Sequence, residues 1–380
     1  MKFAHISDLH LGKRLFERSF LEEDQPFILK QICGILRDEK PDAVLIAGDI
    51  YDKSAPSAEA VRLFDDFLSK LSADGQTVFV ISGNHDSAAR VAYGGRIMAR
   101  SGVHVSASSY DGNIHPVTLT DAHGPVDIYL LPFIKPIHVS SMFPEEKIES
   151  YTDALRIAIE RMNVDTSRRN VLVAHQFVTG ATRSDSEDVS VGGLDNVDAS
   201  VFTAFSYVAL GHIHRPQNIG SPRLRYSGTP LKYSFSEEKD EKSITIVELN
   251  AMGEVSIRTV SLKPLRDMRT IRDKYDELMK RENYTGTKTN DYLRVILTDE
   301  LDVPDAMRKL KSVYPNILRL DYDNTRTRSS APIDVAPETE TKTPLELIED
   351  FYEHQNHQPM NEEQAEYMKA LIARIWREEL

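Results

Sequence analysis

Lys2-Phe3-Ala4-His5-Ile6-Ser7-Asp8-Leu9-His10 is a strand-sized apolar run that ends in an aspartate and a histidine. The same arrangement returns twice. Ala43-Val44-Leu45-Ile46-Ala47 leads into Gly48-Asp49-Ile50-Tyr51-Asp52, and Thr77-Val78-Phe79-Val80-Ile81 leads into Ser82-Gly83-Asn84-His85-Asp86. Helical patterns over residues 25–39 and 57–71 separate the three runs, which is the order of βαβ units and a parallel sheet. Further strands are expected at 126–131, 170–174, 207–210, 243–249 and 255–260, joined in a more meander-like way. A two-sheet α/β sandwich flanked by helices accommodates both halves of this pattern.

The chemistry-bearing residues fall where such a fold presents ligands, at the C-terminal ends of strands. Asp8 and His10 follow the first run, Asp49 the second, and Asn84 and His85 the third. His175 closes the run Val171-Leu172-Val173-Ala174, and Gly211-His212-Ile213-His214 follows Tyr207-Val208-Ala209-Leu210. Asp8 and His10 are two apart, as are His212 and His214, so in extended chain each pair points one way. The glycines at 48, 83 and 211 are expected to let the backbone turn sharply at the rim. His5 lies inside its strand and reads as a packing histidine. A set of carboxylate, imidazole and amide donors without thiolate argues against a structural zinc site and suits octahedral first-row ions, manganese first, with magnesium or iron as alternatives. Asp8, His10, Asp49, Asn84, His175, His212 and His214 are too many donors for one ion with open positions. Two ions sharing Asp49, roughly 3.5–4 Å apart, would use them all and clamp a phosphoryl group.

A chain of 380 residues exceeds one ordinary core. The pattern predicts a first unit over 1–263 and a small α/β unit over 264–323, with helices at 270–281 and 304–313 and strands at 292–297 and 317–322. A linker rich in Thr, Ser, Pro and charge follows at 324–343, and then a helical tail at 344–380. Asn361 is placed to cap the last helix, with Gln364 as its capping-box partner. On that helix Ala365, Met368, Leu371, Ile372 and Ile375 form one apolar stripe, flanked by Tyr367 and Trp376, that suits docking into a partner's groove. The single cysteine, Cys33, and the lack of an apolar leader fit a cytoplasmic, non-membrane protein. The net charge of −13 is unlike that of a stand-alone nucleic-acid binder, so a nucleic-acid substrate would need bound cations or a partner surface.

At these segments the chain resembles the calcineurin-like metallophosphoesterases, through His5-Ile6-Ser7-Asp8-Leu9-His10-Leu11-Gly12, Gly48-Asp49-Ile50-Tyr51-Asp52, Gly83-Asn84-His85-Asp86 and Ala209-Leu210-Gly211-His212-Ile213-His214. The longer Tyr207-Val208-Ala209-Leu210-Gly211-His212-Ile213-His214-Arg215-Pro216-Gln217 and Arg225-Tyr226-Ser227-Gly228-Thr229-Pro230 resemble the bacterial SbcD family of double-strand-break repair nucleases. That resemblance implies one Mn2+ held by Asp8, His10, Asp49 and His214, and a second held by Asp49, Asn84, His175 and His212. It implies that His85 is a non-ligand histidine that stabilises or protonates the departing oxygen. Archaeal relatives carry a histidine where this chain has Asp52, which is expected to orient His85 or a ligand instead. It further implies an exonuclease on duplex ends and an endonuclease on hairpins and single strands, acting with an SbcC-type ATPase in DNA repair, recombination and replication. The implied assembly is a homodimer within a heterotetramer. The small α/β unit fits that family's capping domain, and the tail its partner-binding segment. Lys13, Arg14, Arg90, Arg215 and Lys232 lie near the motifs and are the candidate DNA contacts. Two alternatives stay open: another phosphate ester as substrate, and a non-catalytic scaffold of the same fold. Asp52-Lys53-Ser54 stands where phosphoprotein phosphatases have Asp-Arg-Gly, and the full donor set weighs against a scaffold.

Overall fold

The computed structural model describes residues 1–187, 195–325, 327, 344–356 and 359–378, with side chains described throughout except at 344, 354–356 and 373–378. Two six-stranded sheets form the body. The first runs, in spatial order, Val255–Ser261, Ser243–Leu249, Lys2–Ile6, Ala43–Ala47, Thr77–Ile81 and Val103–Val105. Its four N-terminal strands are parallel, and Ser243–Leu249 joins Lys2–Ile6 antiparallel. The second runs Gln217–Ile219, Ser221–Tyr226, Tyr207–Gly211, Arg169–His175, Gly124–Leu131 and Val117–Asp121.

Strict alternation explains how the sheets stack. Phe3, Leu45, Phe79 and Ile81 point from the first sheet against Ile128, Val171, Val173 and Tyr207 of the second, all fully buried. The intervening residues Ala4, Ile6, Val44, Ile46, Val78 and Val80 face outward, against the helices Asp24–Glu39 and Ala58–Ala73. Burial on both faces is why these strands read as unbroken apolar runs. The helix Tyr151–Arg161 covers the second sheet in the same way through Ala154, Leu155, Ile157 and Ala158.

A third, all-parallel sheet of Met268–Asp273, Tyr292–Leu297 and Ile317–Tyr322 has its own core, centred on Leu293, Val295, Leu310 and Ile317. The fold differs here from the expected helix over 270–281. Residues 270–273 belong to the strand Met268–Asp273, and the helix is only Tyr275–Met279. The strand lies at an edge, where one side needs no partner and charge is tolerated. Arg269 and Arg272 pair with Asp291 and Asp323, so the charge that reads as a helix surface is cross-strand pairing. The second expected helix is also shorter, Ala306–Leu310. Polar contacts join the sheet to the body: the Tyr292 hydroxyl donates to buried Asp24 at 2.6 Å, and Lys232 pairs with the more exposed Asp267 at 2.9 Å.

The expected linker lies outside the described residues except at 324, 325 and 327. The tail helices are Pro344–Asn356 and Glu362–Glu378. The Asn361 side chain accepts from the Gln364 N–H at 2.9 Å and the Gln364 side chain accepts from the Asn361 N–H at 3.0 Å, a reciprocal cap. Among the described residues no helix is long and apolar enough to cross a membrane.

The glycines at the rim serve two different needs. Gly48 has φ 84° and does turn the chain, whereas Gly211 is there for space. A Cβ on Gly211 would lie 1.8 Å from the Ala47 carbonyl oxygen, because the Tyr207–Gly211 and Ala43–Ala47 strand ends press together. Gly211→Ala is therefore expected to destabilise the fold by at least the about 1–3 kcal/mol typical of overpacking. Urea unfolding monitored by circular dichroism checks it; an unchanged midpoint would show that the two strand ends can separate freely.

Candidate metal centre

The two sheets bring their C-terminal strand ends to a single rim. Asp8, His10, Asp49 and Asn84 come from the first sheet, and His175, His212 and His214 from the second. Asp8, His10 and Asp49 adopt left-handed backbone conformations with φ of 53°, 44° and 48°, and His212 has φ 100°. Such conformations are costly for residues with a Cβ and concentrate at functional sites. Hydrogen bonds across the rim hold them. The His212 N–H donates to Asp8 Oδ1 at 2.9 Å, and the His85 N–H donates to Asp49 Oδ1 at 2.9 Å. Each carboxylate thus fixes one oxygen on backbone. The second oxygen of Asp49 faces His175 Nε2 at 3.3 Å and His10 Nε2 at 3.6 Å.

The residues fit a cation cluster on three counts. First, His175 Nδ1 donates to the Ala47 carbonyl at 2.8 Å, so a neutral ring turns the Nε2 lone pair toward Asn84 Oδ1 at 3.0 Å and Asp49 Oδ2. Acceptors facing acceptors in a buried site need a proton or a cation between them. Second, His10 Nε2 and His214 Nε2 stand 3.1 Å apart, and His10 Nδ1 is buried without a hydrogen-bond partner. Third, Asp8, His10 and His214, and likewise Asp8, Asp49 and His175, offer ligand atoms that converge to within 4.8 Å of one another. Asn84 Oδ1 also faces His212 Nδ1 at 2.9 Å.

The electrostatics follow from burial. Desolvation lowers His10 and His212 to about 3 and holds His214 well below its ordinary value, which keeps these rings neutral and their lone pairs available. Burial also pushes Asp8 up, to about 7. Burial opposes charge on His175, yet Asp49 and Asp8 raise it to about 9. Burial likewise opposes charge on Asp49, but His175, His10 and His85 outweigh it and hold its carboxyl well below the usual range.

The remaining candidates are placed less uniformly. His85 Nδ1 faces the Asp52 carbonyl at 3.3 Å, and its Nε2 lies 4.0 Å from Asp49. The Asp52 carboxylate pairs instead with Lys13 at 2.9 Å and lies 3.8 Å from His10 Nδ1. The Asp52 backbone carbonyl thus meets His85. Arg14 is exposed and donates to the Glu17 carbonyl at 3.0 Å, and Arg90 is exposed and donates to the Ser54 carbonyl. Arg215 and Lys232 sit further into the fold, paired with Asp240 at 3.0 Å and Asp267 at 2.9 Å. His5 is a packing histidine, fully buried with Nδ1 2.8 Å from the Tyr207 hydroxyl.

Three supporting residues carry no functional reading in the sequence. Asp86 accepts from the N–H groups of Ile50, Tyr51 and Gly83 at 2.9–3.0 Å and so ties the second and third motif loops together. Its place in Gly83-Asn84-His85-Asp86 is the one available signal. Gln25 donates to the His10 carbonyl at 2.7 Å, and the Tyr233 hydroxyl donates to the Leu9 carbonyl at 2.7 Å. Both are distant in sequence from the residues they support and have no local signal.

Residues 1–216 match the family described as Calcineurin-like phosphoesterase, and residues 264–356 match the family described as Type 5 capsule protein repressor C-terminal domain. The chain belongs to the calcineurin-like phosphoesterase family. Within that family it belongs to the SbcD nucleases of SbcCD complexes. It is 32% identical over 382 aligned residues to the SbcD component of nuclease SbcCD from Staphylococcus epidermidis, covering 99% of each chain. It is 36% identical over 324 residues to the protein of the same name from Staphylococcus saprophyticus, covering 84% of each. Among solved structures, a dimetal phosphatase from Danio rerio aligns with 70% of this chain and 97% of its own, at 13% identity and a TM-score of 0.39.

A cation held by this rim stabilises the folded chain by mass action, about 2.7 kcal/mol at a hundredfold excess over Kd. Adding Mn2+ to the chelator-treated protein is expected to raise its melting temperature, and the rise should be lost in Asp49→Ala. Differential scanning fluorimetry of both proteins makes the comparison; an equal rise in the variant would remove Asp49 from the centre.

Proposed function

We propose that this chain is a metal-dependent nuclease that hydrolyses DNA phosphodiester bonds with two Mn2+, as the catalytic component of a complex with an SbcC-type ATPase. The observation that carries the reading is the convergence of seven ligand-type side chains from two sheets on one rim, in a chain that matches an SbcD nuclease over its whole length. Asp8, His10, Asp49 and His214 would hold one ion, and Asp49, Asn84, His175 and His212 the other. Mg2+ or Fe2+ suits the same donors. Bound there, such ions supply Lewis-acid polarisation of the phosphoryl group and activation of water.

The chain's own residues do the rest. Asp49, pinned by the His85 N–H, holds its free oxygen between the two donor sets. His85 is part-exposed at the edge of the cluster, with Nδ1 directed at the Asp52 carbonyl and Nε2 4.0 Å from Asp49 Oδ2, at the rim where a leaving oxygen would receive a proton. Arg14 and Arg90 are the cations best exposed for phosphate contacts, and Lys13, Arg215 and Lys232 would first have to leave their carboxylates. Residues 1–263 would form the nuclease domain, 264–323 the cap and 344–380 the partner-binding tail. Exonuclease action on duplex ends, endonuclease action on hairpins and single strands, a dimer within a heterotetramer and a cytoplasmic setting complete the proposal. In the tail, Tyr367 is exposed, and Met368, Leu371 and Ile372 are half-buried, while the Ile375 and Trp376 side chains lie outside the described residues.

Purified chain with Mn2+ is expected to cut hairpin and linear DNA and to leave a phosphopeptide intact; the reverse preference would favour another phosphate ester. His85→Gln should keep its Mn2+ stoichiometry while losing roughly 10²–10⁴-fold in rate, the range for a general acid. Metal analysis beside single-turnover cleavage decides it, since metal loss would make His85 a ligand. Deleting residues 344–380 should preserve simple Mn2+-dependent nicking and abolish co-purification with the ATPase. Retained co-purification would place the partner surface elsewhere.

A further inference from the structure

His214 has a second set of partners behind the rim, and they carry a chain of hydrogen bonds that ends on a buried ion pair. Its Nε2 faces His10, and its Nδ1 lies 2.5 Å from Ser186 Oγ. Ser186 Oγ lies 2.6 Å from Glu237 Oε1 and 2.8 Å from Ser184 Oγ. The other Glu237 oxygen pairs with Lys242 Nζ at 2.6 Å. Glu237 is fully buried and Lys242 is 4% exposed. Lys242 Nζ also donates to the His214 carbonyl and to Thr229 Oγ1, both at 2.8 Å. Neighbouring Glu187 Oε1 accepts the His214 backbone N–H at 2.6 Å.

Counting protons along this chain fixes the arrangement at His214. An ammonium has three hydrogens, and Lys242 has three acceptors: the His214 carbonyl, Thr229 and Glu237. Glu237, paired with that ammonium, only accepts. The single Ser186 hydroxyl hydrogen therefore goes to Glu237 Oε1, while the Ser184 hydroxyl has two acceptors in reach, Ser186 Oγ and, at 3.2 Å, Glu187 Oε1. Toward His214, Ser186 Oγ can then only accept. The ring hydrogen of a neutral His214 must sit on Nδ1, and Nε2 keeps its lone pair.

We propose that Ser186, anchored by the buried Lys242–Glu237 pair, is a positioning residue that locks His214 in the Nδ1–H tautomer and so reserves Nε2 for the cation centre. Histidine ligands commonly have their second nitrogen fixed by an oxygen, which sets the tautomer and ring orientation. Here the oxygen is a serine hydroxyl, with its own proton committed to a carboxylate behind it. The anchor is distributed over three separate segments, at Ser184–Glu187, Thr229 and Glu237–Lys242. The inference rests on the proposed ligand role of His214, and the experiment keeps the two apart.

The tautomer is read in the metal-free full chain by two-bond 1H–15N spectra of 15N-histidine-labelled protein, with the His214 signals assigned by their loss in His214→Gln. The wild type is expected to show Nδ1–H. Ser186→Ala should show a mixed or Nε2–H tautomer with its melting temperature little changed, and Ser186→Thr should restore Nδ1–H. Mn2+ affinity by calorimetry should fall roughly 10–100-fold in Ser186→Ala, the usual range for such outer partners, and recover in Ser186→Thr. Nε2–H in the wild type, or a Ser186→Ala spectrum and affinity identical to wild type, overturns the proposal. Unchanged Mn2+ affinity in His214→Gln would instead overturn the ligand role, while the spectra still decide the tautomer lock.

Discussion

The centre depends on the pressing together of two sheets at their C-terminal edges. Ala47 is the pivot: its carbonyl accepts from His175 Nδ1 and leaves no room for a side chain at Gly211. From that contact follow the placement of His175 beside Asp49, and of Asp8 within reach of the His212 backbone. Were the sheets a side chain's width further apart, donors from one could not meet donors from the other. The alternating packing of Phe3, Leu45 and Phe79 against Val171, Val173 and Tyr207 sets the spacing that makes this possible.

Burial then acts in two opposite senses. It makes charge on Asp8, Asp49 and His175 costly, and it keeps His10, His212 and His214 neutral and able to donate lone pairs. Like-polarity atoms such as His175 Nε2 and Asn84 Oδ1 are packed against each other, an arrangement that conflicts with itself without a positive charge among them. A chain with a net charge of −13 can in this way present a local attraction for phosphate at one rim.

Much of this is legible in the sequence because the information is local. Apolar runs with Asp, Asn and His at their C-terminal ends locate the strands and the rim together, and the capping box at Asn361 and Gln364 marks the last helix. The strand Met268–Asp273 escapes such a reading because its charged residues pair across strands with Asp291 and Asp323, a relation that no window of sequence contains. The same reason hides Gln25, Tyr233 and Ser186, each of which reaches the site from a position distant in sequence from the residue it supports. Arg215 and Lys232 stand beside motif segments, and only the fold shows them turned to Asp240 and Asp267.

The division of the donors between the sheets also says something about when the centre comes into being. The first sheet's share, Asp8, His10, Asp49 and Asn84, lies within the first quarter of the chain, and the imidazoles of His175, His212 and His214 come much later. A chain partway through synthesis carries carboxylates without the histidines that complete them, and Ser243–Leu249 must still return to pair with Lys2–Ile6. Because closing such long-range contacts comes late in folding, a complete donor set exists only on a molecule whose two halves have docked. The architecture thereby ties the donor set to the completed fold, since a nascent or truncated copy holds only part of it.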